Sequence, residues 1–423
     1  MKTKFQFMLL CLAMLSACTQ ENDDSLFDYK ENVRSNTLQY HVSESDAIKQ
    51  AGEFLYQIDM IKTRSDAENV IQSVEILTKP KMNYLLNTPV AYYNLPDTLF
   101  YAVNFKDSMG YALVSVDNRI GGIVSYIEHG AFDAKEHIEN EGFKSFLTGL
   151  MEYYENTLSF WPDLPGDSTG GNNPSDLLLE KHYTVDSIFR PLLRTKWGQS
   201  YPYNILCPET PYGARTLTGC VATAVGQILA YHRSPSSFRQ HEYDWDAILE
   251  DEIPFVFDTQ LMVSQLLNDI GSLVEAKYSD TLTTASASLV ALCLDSMQYR
   301  HTNYLFFHLD SCIADIARNH PVFMRGTNVY SVNDYHSQHA WVVDGYIFRS
   351  LHLLEVLPNG GTREIISMPQ KLLHCNWGAD GKNNGYFLST AFDPYDGLKY
   401  HSTRSDVMYN NDNAMYLYIQ PKR

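Results

Sequence analysis

Cys220, His339 and the pair Asn376-Trp377 are the residues of this 423-residue chain whose types and surroundings suit nucleophilic chemistry. Cys220 follows a glycine in Thr218-Gly219-Cys220-Val221-Ala222-Thr223-Ala224, and the run on to His232 sets Val221, Val225, Ile228 and Leu229 along one stripe of an amphipathic helix. The thiol then stands in the first helical turn, where unpaired N–H groups and the helix dipole favour thiolate. A lone cysteine there is equally well explained as a small buried residue, so partners elsewhere decide. The segment Ser337-Gln338-His339-Ala340-Trp341-Val342-Val343-Asp344-Gly345 supplies one, a histidine at the entrance of a strand-forming run. His374-Cys375-Asn376-Trp377-Gly378 supplies another, with Asn376 or Trp377 placed to orient an imidazole before a polar turn opens into a further strand.

A thiolate, an imidazole that shares its proton and a third group that holds the ring are the parts of nucleophilic acyl transfer, to which a donor for the oxyanion must be added. Other histidines compete for the base. His336 precedes His339 on the same segment and reads as a solvated loop residue, while His232 ends the nucleophile helix and reads as a favourable charge at its C-terminus. His374 adjoins Cys375, but no second pair at ligand spacing accompanies it, so no metal and no cofactor are expected.

With these residues in place, four motifs in order resemble the streptopain family of papain-like cysteine peptidases. They are Thr195-Lys196-Trp197-Gly198-Gln199, Gly219-Cys220-Val221-Ala222 with Tyr231-His232, His339-Ala340-Trp341 and Asn376-Trp377-Gly378, spanning 186–423. The resemblance implies Cys220 as nucleophile, His339 as general base and acid, Gln199 in the oxyanion hole, and Asn376 and Trp377 orienting His339. It also implies an α+β fold, in which a helical lobe and an antiparallel β-sheet lobe flank the groove. Two departures bear on groove shape: Ser337-Gln338 replaces a common glycine pair, and Ala379 stands where a second tryptophan is common.

Stepping upstream, 44% hydrophobic and 13% aromatic residues over this length suit a globular chain of two domains. A net charge of −18 argues against nucleic acid as a partner. Lys2 and Lys4 precede an apolar run from Phe7 to Met14, too short to span a membrane permanently and fit for a signal peptide over 1–17. Leu15-Ser16-Ala17-Cys18 resembles a bacterial lipobox, so Cys18 is the expected lipidation site, opening a tether over 18–40 that anchors the exported chain to a membrane. The acidic Thr19-Gln20-Glu21-Asn22-Asp23-Asp24 resembles the tag of surface lipoproteins in Bacteroidetes-type bacteria, implying an outer-membrane or cell-surface location.

Beyond the tether, Ser43 is the expected N-cap of a helix lined by Ala47, Ile48, Ala51, Leu55 and Ile58. Phe100 to Phe105, Tyr111 to Val116 and Ile123 to Tyr126 alternate with turn residues as an antiparallel meander, and Phe143, Phe146, Leu147, Leu150 and Tyr154 mark a closing helix. This order, over 41–160, resembles the inhibitory propeptide of streptopain-type enzymes, which would make it an intramolecular inhibitor. The stretch 161–185 begins with Gly, Pro, Asn and Ser and reads as a flexible linker, with activating cleavage expected between Leu164 and Arg194. Phe255 to Leu273 and Thr283 to Met297 read as core helices, Leu305 to Ala317 as helix or strand. Setting aside Cys11 in the signal and Cys18 leaves five cysteines, so one at least stays unpaired if disulfides are intramolecular. The expected function is a surface-anchored zymogen of a cysteine endopeptidase acting on protein or peptide substrates. The alternatives are a silent lipoprotein that binds peptide or host protein in the same groove, and amidase or transglutaminase chemistry.

Overall fold

Ser43 begins the first helix because its hydroxyl accepts from the Asp46 N–H at 3.1 Å while Asp46 accepts back from the Ser43 N–H at 3.3 Å, a reciprocal capping box. The computed structural model describes residues 41–67, 69–87, 95–160, 179–330, 335–357, 359–392 and 413–422. The expected signal, Cys18 and most of the linker lie outside these residues. The N-terminal part runs α1 (Glu44–Gln57), β1 (Ile71–Thr78), α2 (Lys79–Leu86), β2 (Thr98–Phe105), β3 (Tyr111–Ser115), β4 (Ile123–Ile127) and α3 (Glu141–Phe160). The expected helix, meander and helix are present. β1 and α2 are additions that the sequence pattern did not reveal.

The C-terminal part begins with β5 (Leu179–Phe189), a strand of the main sheet, so residues 179–185 are not the flexible linker the composition suggested; α4 (Cys220–His232) follows, then a small hairpin of β6 (Ser237–Phe238) and β7 (His241–Glu242). Helices α5 (Trp245–Ile248), α6 (Phe257–Leu273) and α7 (Val290–Ser296) complete the helical lobe. The region from Leu305 contains both structures between which the pattern left a choice, β9 (Leu305–Phe306) and α8 (Leu309–Ile316), preceded by β8 (Tyr299–Arg300). The sheet lobe follows as β10 (Val322–Tyr330), β11 (Tyr335–Val356), β12 (Thr362–Asn376), β13 (Gly385–Leu388), β14 (Ala414–Tyr416) and β15 (Gln420–Pro421).

Among the described residues one sheet has the order β1-β2-β3-β4-β13-β12-β11-β10-β14-β9, with β5 added beside β11. The meander is thus not a separate body. β4 pairs antiparallel with β13, Tyr126 opposite Tyr386 and Ser125 opposite Phe387, so the N-terminal strands extend the sheet of the C-terminal part. Strands β3 and β4 are buried along their whole length, as both faces are covered. On one face Phe54 of α1 meets Tyr126 with ring centroids 5.7 Å apart. Across the seam, α3 sets Phe146 against Phe387 at 4.8 Å and Phe392 at 5.7 Å, while Tyr154 lies 6.0 Å from Phe100. A single apolar core therefore joins the two parts, holding Phe100, Phe146 and Tyr154 together with Trp341, Trp377 and Phe387.

A second core fills the helical lobe, where α4 packs Val225, Ile228 and Leu229 among Val263, Leu266 and Ile270 of α6. The expected amphipathic stripe is a correction here. Every residue of α4 from Val221 to Ala230 is buried, because the helix lies between α6 and β11 and has no solvent face. Helix α7 is likewise shorter than its apolar run suggested. Thr283 Oγ1 donates to Leu217 O at 2.7 Å and Lys277 bridges to Thr284, which holds the first residues of the run in a loop.

Candidate active site

Gly219 enters α4 with φ near 90°, a left-handed conformation that glycine adopts freely, and this turn aims the next side chain out of the helix start. Cys220 is consequently half-buried, while Cys207, Cys293, Cys312 and Cys375 are buried and likewise free of disulfides. From the other lobe, β11 carries His339 opposite Gly326 of β10, four residues inside the strand where the pattern placed it at the entrance. The imidazole and the thiol meet in hydrogen-bonding contact.

The ring is oriented by one identifiable bond. His339 Nε2 lies 2.8 Å from the Trp377 carbonyl oxygen, which makes Nε2–H the donor and leaves Nδ1 for the sulfur. Trp377 itself is anchored, its backbone N–H donating to Asn384 Oδ1 at 3.0 Å and its indole N–H to Asn383 O at 2.9 Å. Trp341 and Phe387 flank the indole, at 5.3 Å and 5.0 Å.

Asn376 was expected to share this task, and the geometry corrects that expectation. Its Nδ2 donates to Thr195 O at 2.7 Å and Gln227 Oε1 at 3.2 Å, and its Oδ1 accepts from Gln227 Nε2 and the Gly378 N–H, both at 3.2 Å. The amide is fully engaged behind the site, since strand β12 turns it toward α4 and the neighbouring carbonyl toward His339. Gln227 is the residue the sequence reading missed. Buried in α4, it accepts from Thr195 Oγ1 at 3.0 Å and the Trp197 N–H at 3.1 Å, tying the loop of Gln199 to the turn of Trp377. A glutamine inside an otherwise apolar helical run was the available signal.

Gln199 lies beside the nucleophile turn, its carbonyl accepting from the Thr218 N–H at 3.0 Å. His336 has no described side-chain position. His232 corrects another expectation. Burial pulls its pKa down to about 4, so it is neutral at pH 7 and gives the helix C-terminus no charge; Nε2 instead meets Ile419 O at 2.7 Å. His374 is held by carboxylates, 2.6 Å from Asp344 Oδ1 and 3.4 Å from Glu128 Oε2.

Electrostatics separate Cys220 from the other thiols. Burial pushes Cys220 up, but the hydrogen bond and charge of His339, with the N–H groups of Ala340 and Val221, outweigh it and hold the thiol below its ordinary value. Burial pulls His339 down, but Cys220, the Trp377 carbonyl and the Glu141 carboxylate hold it above its ordinary value. Both shifts favour a thiolate–imidazolium pair. Burial pushes the remaining four described cysteines up, Cys207 to about 11 and Cys293 to about 12.

Residues 197–387 match the Peptidase C10 family, and residues 39–154 match the Spi protease inhibitor family. The C-terminal part is thus similar to the streptopain-type C10 cysteine peptidases, and the N-terminal part to their Spi-type inhibitors. The chain's relatives include the thiol protease/hemagglutinin PrtT of Porphyromonas gingivalis, 25% identical over 365 residues, a match covering 77% of this chain and 37% of that protein. Streptopain of Streptococcus pyogenes is 23% identical over 332 residues, covering 67% of this chain and 72% of its own. In fold, the chain is similar to a prointerpain A fragment from Prevotella intermedia, with a TM-score of 0.54 at 20% identity over 83% of this chain and all of that fragment, 100%. The N-terminal part is the region that matches the Spi protease inhibitors, and its helix α3 begins against His339 and Trp377. A Cβ on Gly142 would lie 2.2 Å from Trp377 Cε3 and 2.7 Å from His339 Cδ2. Just before it, Asn140 Nδ2 donates to Lys382 O at 2.9 Å.

Proposed function

We propose that this chain is the latent precursor of a cysteine endopeptidase that hydrolyses peptide bonds of protein substrates through an acyl-enzyme. Cys220 is the nucleophile, His339 the general base and acid, Trp377 the orienting residue through its carbonyl, and Gln199 the oxyanion donor. The observation that carries this reading is the direction of the thiol shifts: of five described cysteines, Cys220 alone is drawn toward the thiolate, and the group that draws it is an imidazole from the opposite lobe.

The steps follow from these positions. The Cys220 thiolate adds to the substrate carbonyl carbon, and the resulting oxyanion is met by Gln199 and the Cys220 N–H at the helix start. As the C–N bond breaks, the imidazolium gives its proton to the leaving amine, leaving a thioester. Water then attacks the thioester, His339 takes its proton, and departure of the sulfur restores the ion pair.

Latency follows from the start of α3, which stands against His339 and Trp377 where the leaving group must pass. Activation is by cleavage in the linker ahead of β5 and removal of the 41–160 propeptide; residues 179–185, expected in the linker, pair with β11 and stay with the peptidase. The N-terminal sequence supports export and acylation of Cys18 at an outer membrane or cell surface, testable as acyl-label incorporation lost in Cys18→Ala. For the catalytic reading, a peptidyl epoxide should label Cys220 of the processed enzyme. Labelling indifferent to His339→Ala, with no proteolysis, would favour a groove that only binds peptide.

A further inference from the structure

The loop that carries Gln199 continues into an apolar surface that the mechanism above does not use. Tyr201 is 68% exposed, Phe255 83%, Val256 56%, Phe257 59%, Ile253 40% and Leu261 37%. Single exposed apolar residues are ordinary, whereas a contiguous group of large ones marks an interaction surface. These are fastened into one group by Gln260. Tyr201 Oη donates to Gln260 Oε1 at 3.2 Å, and Gln260 Nε2 donates to the carbonyls of Pro254 and Phe255, each at 3.2 Å. A second tie joins the patch to the catalytic loop, since the Lys196 N–H donates to Glu252 O at 2.9 Å and its ammonium pairs with the Glu252 carboxylate at 2.7 Å.

The chemistry of the pair tells which end of the cleft this is. The leaving amine takes its proton from His339, so substrate residues beyond the scissile bond lie on the imidazole side, which Trp377 flanks. The Asp380 N–H donates to Trp197 O at 3.3 Å and a Cβ on Gly198 would lie 2.2 Å from Asp380 Oδ1, so the Gln199 loop and the turn after Trp377 border that same end. From Cys220 the path to Tyr201 is four residue steps and the Thr218-to-Gln199 hydrogen bond, at most about 20 Å, the length of about six extended residues. Exposed Glu250, Asp251 and Asp258 rim the patch with negative charge.

We infer that this surface is a docking site for the substrate chain beyond the scissile bond, fitting an extended segment with large apolar residues accompanied by lysine or arginine. The inference rests on the peptidase reading of Cys220 and His339 and adds a substrate class to it. Continuity with the catalytic loop names the occupant, and the acidic rim names its charge.

The test compares two substrates on enzyme processed from the full chain. One carries a small fluorogenic amide directly after the scissile bond; the other continues for six residues containing leucine, phenylalanine and lysine. In Phe255→Ser/Phe257→Ser, kcat/KM for the extended substrate should fall at least tenfold, through KM, while the short substrate changes less than twofold. On wild-type enzyme, replacing the apolar residues of the extended peptide with serine should cause the same loss, independently of how the variant folds. Equal kcat/KM for the apolar and serine peptides on wild-type enzyme would overturn the inference. So would concentration-dependent dimerisation or vesicle binding that the variant loses while its peptide preference stays unchanged. Failure of wild-type enzyme to cut the short substrate would instead sink the peptidase reading itself.

Discussion

Leucine in place of Gly142 should turn a silent precursor into a leaky one, and the size of the effect can be worked from the contacts. The first added carbon would stand 2.2 Å from Trp377 Cε3, against an optimum of about 3.5–4.0 Å for carbon pairs, so about 1.3–1.8 Å must open before the rest of the side chain is placed. Trp377 cannot yield, being fully buried among Trp341, Phe387 and Phe392 with its indole N–H held by Asn383. The start of α3 must lift instead. Overpacking of this kind costs about 1–3 kcal/mol, which raises the fraction of open precursor by a factor of about 5–150. The assay is the rate at which a peptidyl epoxide labels Cys220 in full-length chain, with mass spectrometry confirming an uncut linker. Gly142→Leu precursor should label faster by that factor, and once the propeptide is removed its activity should equal that of wild type. Equal labelling of the two intact precursors would refute the claim that α3 closes the site.

Alkylation of Cys220 in processed enzyme should show a pH midpoint below the ordinary thiol value, and His339→Ala should move it upward, because burial then loses its main opponent; an unmoved midpoint would contradict the ion pair. Asn376→Ala should lower thermal stability, since it strands the buried Gln227 amide and Thr195 carbonyl at about 1–3 kcal/mol, yet leave that midpoint in place, because Asn376 bonds to neither ring nor sulfur. His374 gives a pH dependence with a definite sign. Burial pulls its pKa down, but Asp344 and Glu128 raise it from 6.5 to about 10, so its protonated form stabilises the folded precursor. That contribution is complete below about 6.5 and fades as pH rises toward about 10, a slope that His374→Asn should flatten in denaturant unfolding across this window.

Much of the scaffold is legible in local pattern. Ser43 and Asp46 announce a cap by their spacing, and the meander shows itself in runs such as Phe100 to Phe105 broken by turn residues. β1 and α2 escaped for local reasons as well. β1 leaves Gln72, Ser73 and Ile76 exposed at the sheet edge, and α2 has only eight residues with Pro80 in its first turn. The spacing around Gly219 and the motifs that follow sufficed to name Cys220 and His339 as candidates, because each motif is a contiguous stretch whose chemistry travels with it.

What the sequence determined by itself was the kind of chemistry and the elements bearing it: a thiol at a helix start, a histidine on a strand, a helix–meander–helix ahead of them. The tertiary structure alone decided that the Trp377 carbonyl rather than the Asn376 amide holds the imidazole, that Gln227 links the lobes, and that β4 joins β13 so propeptide and peptidase share one sheet and one core. The physical reason is range. Periodicity, caps and turns act over a few residues and are written in the local sequence. Which face of β12 meets which helix, and which strand edge finds which partner, depends on how distant segments dock, and no local period encodes that.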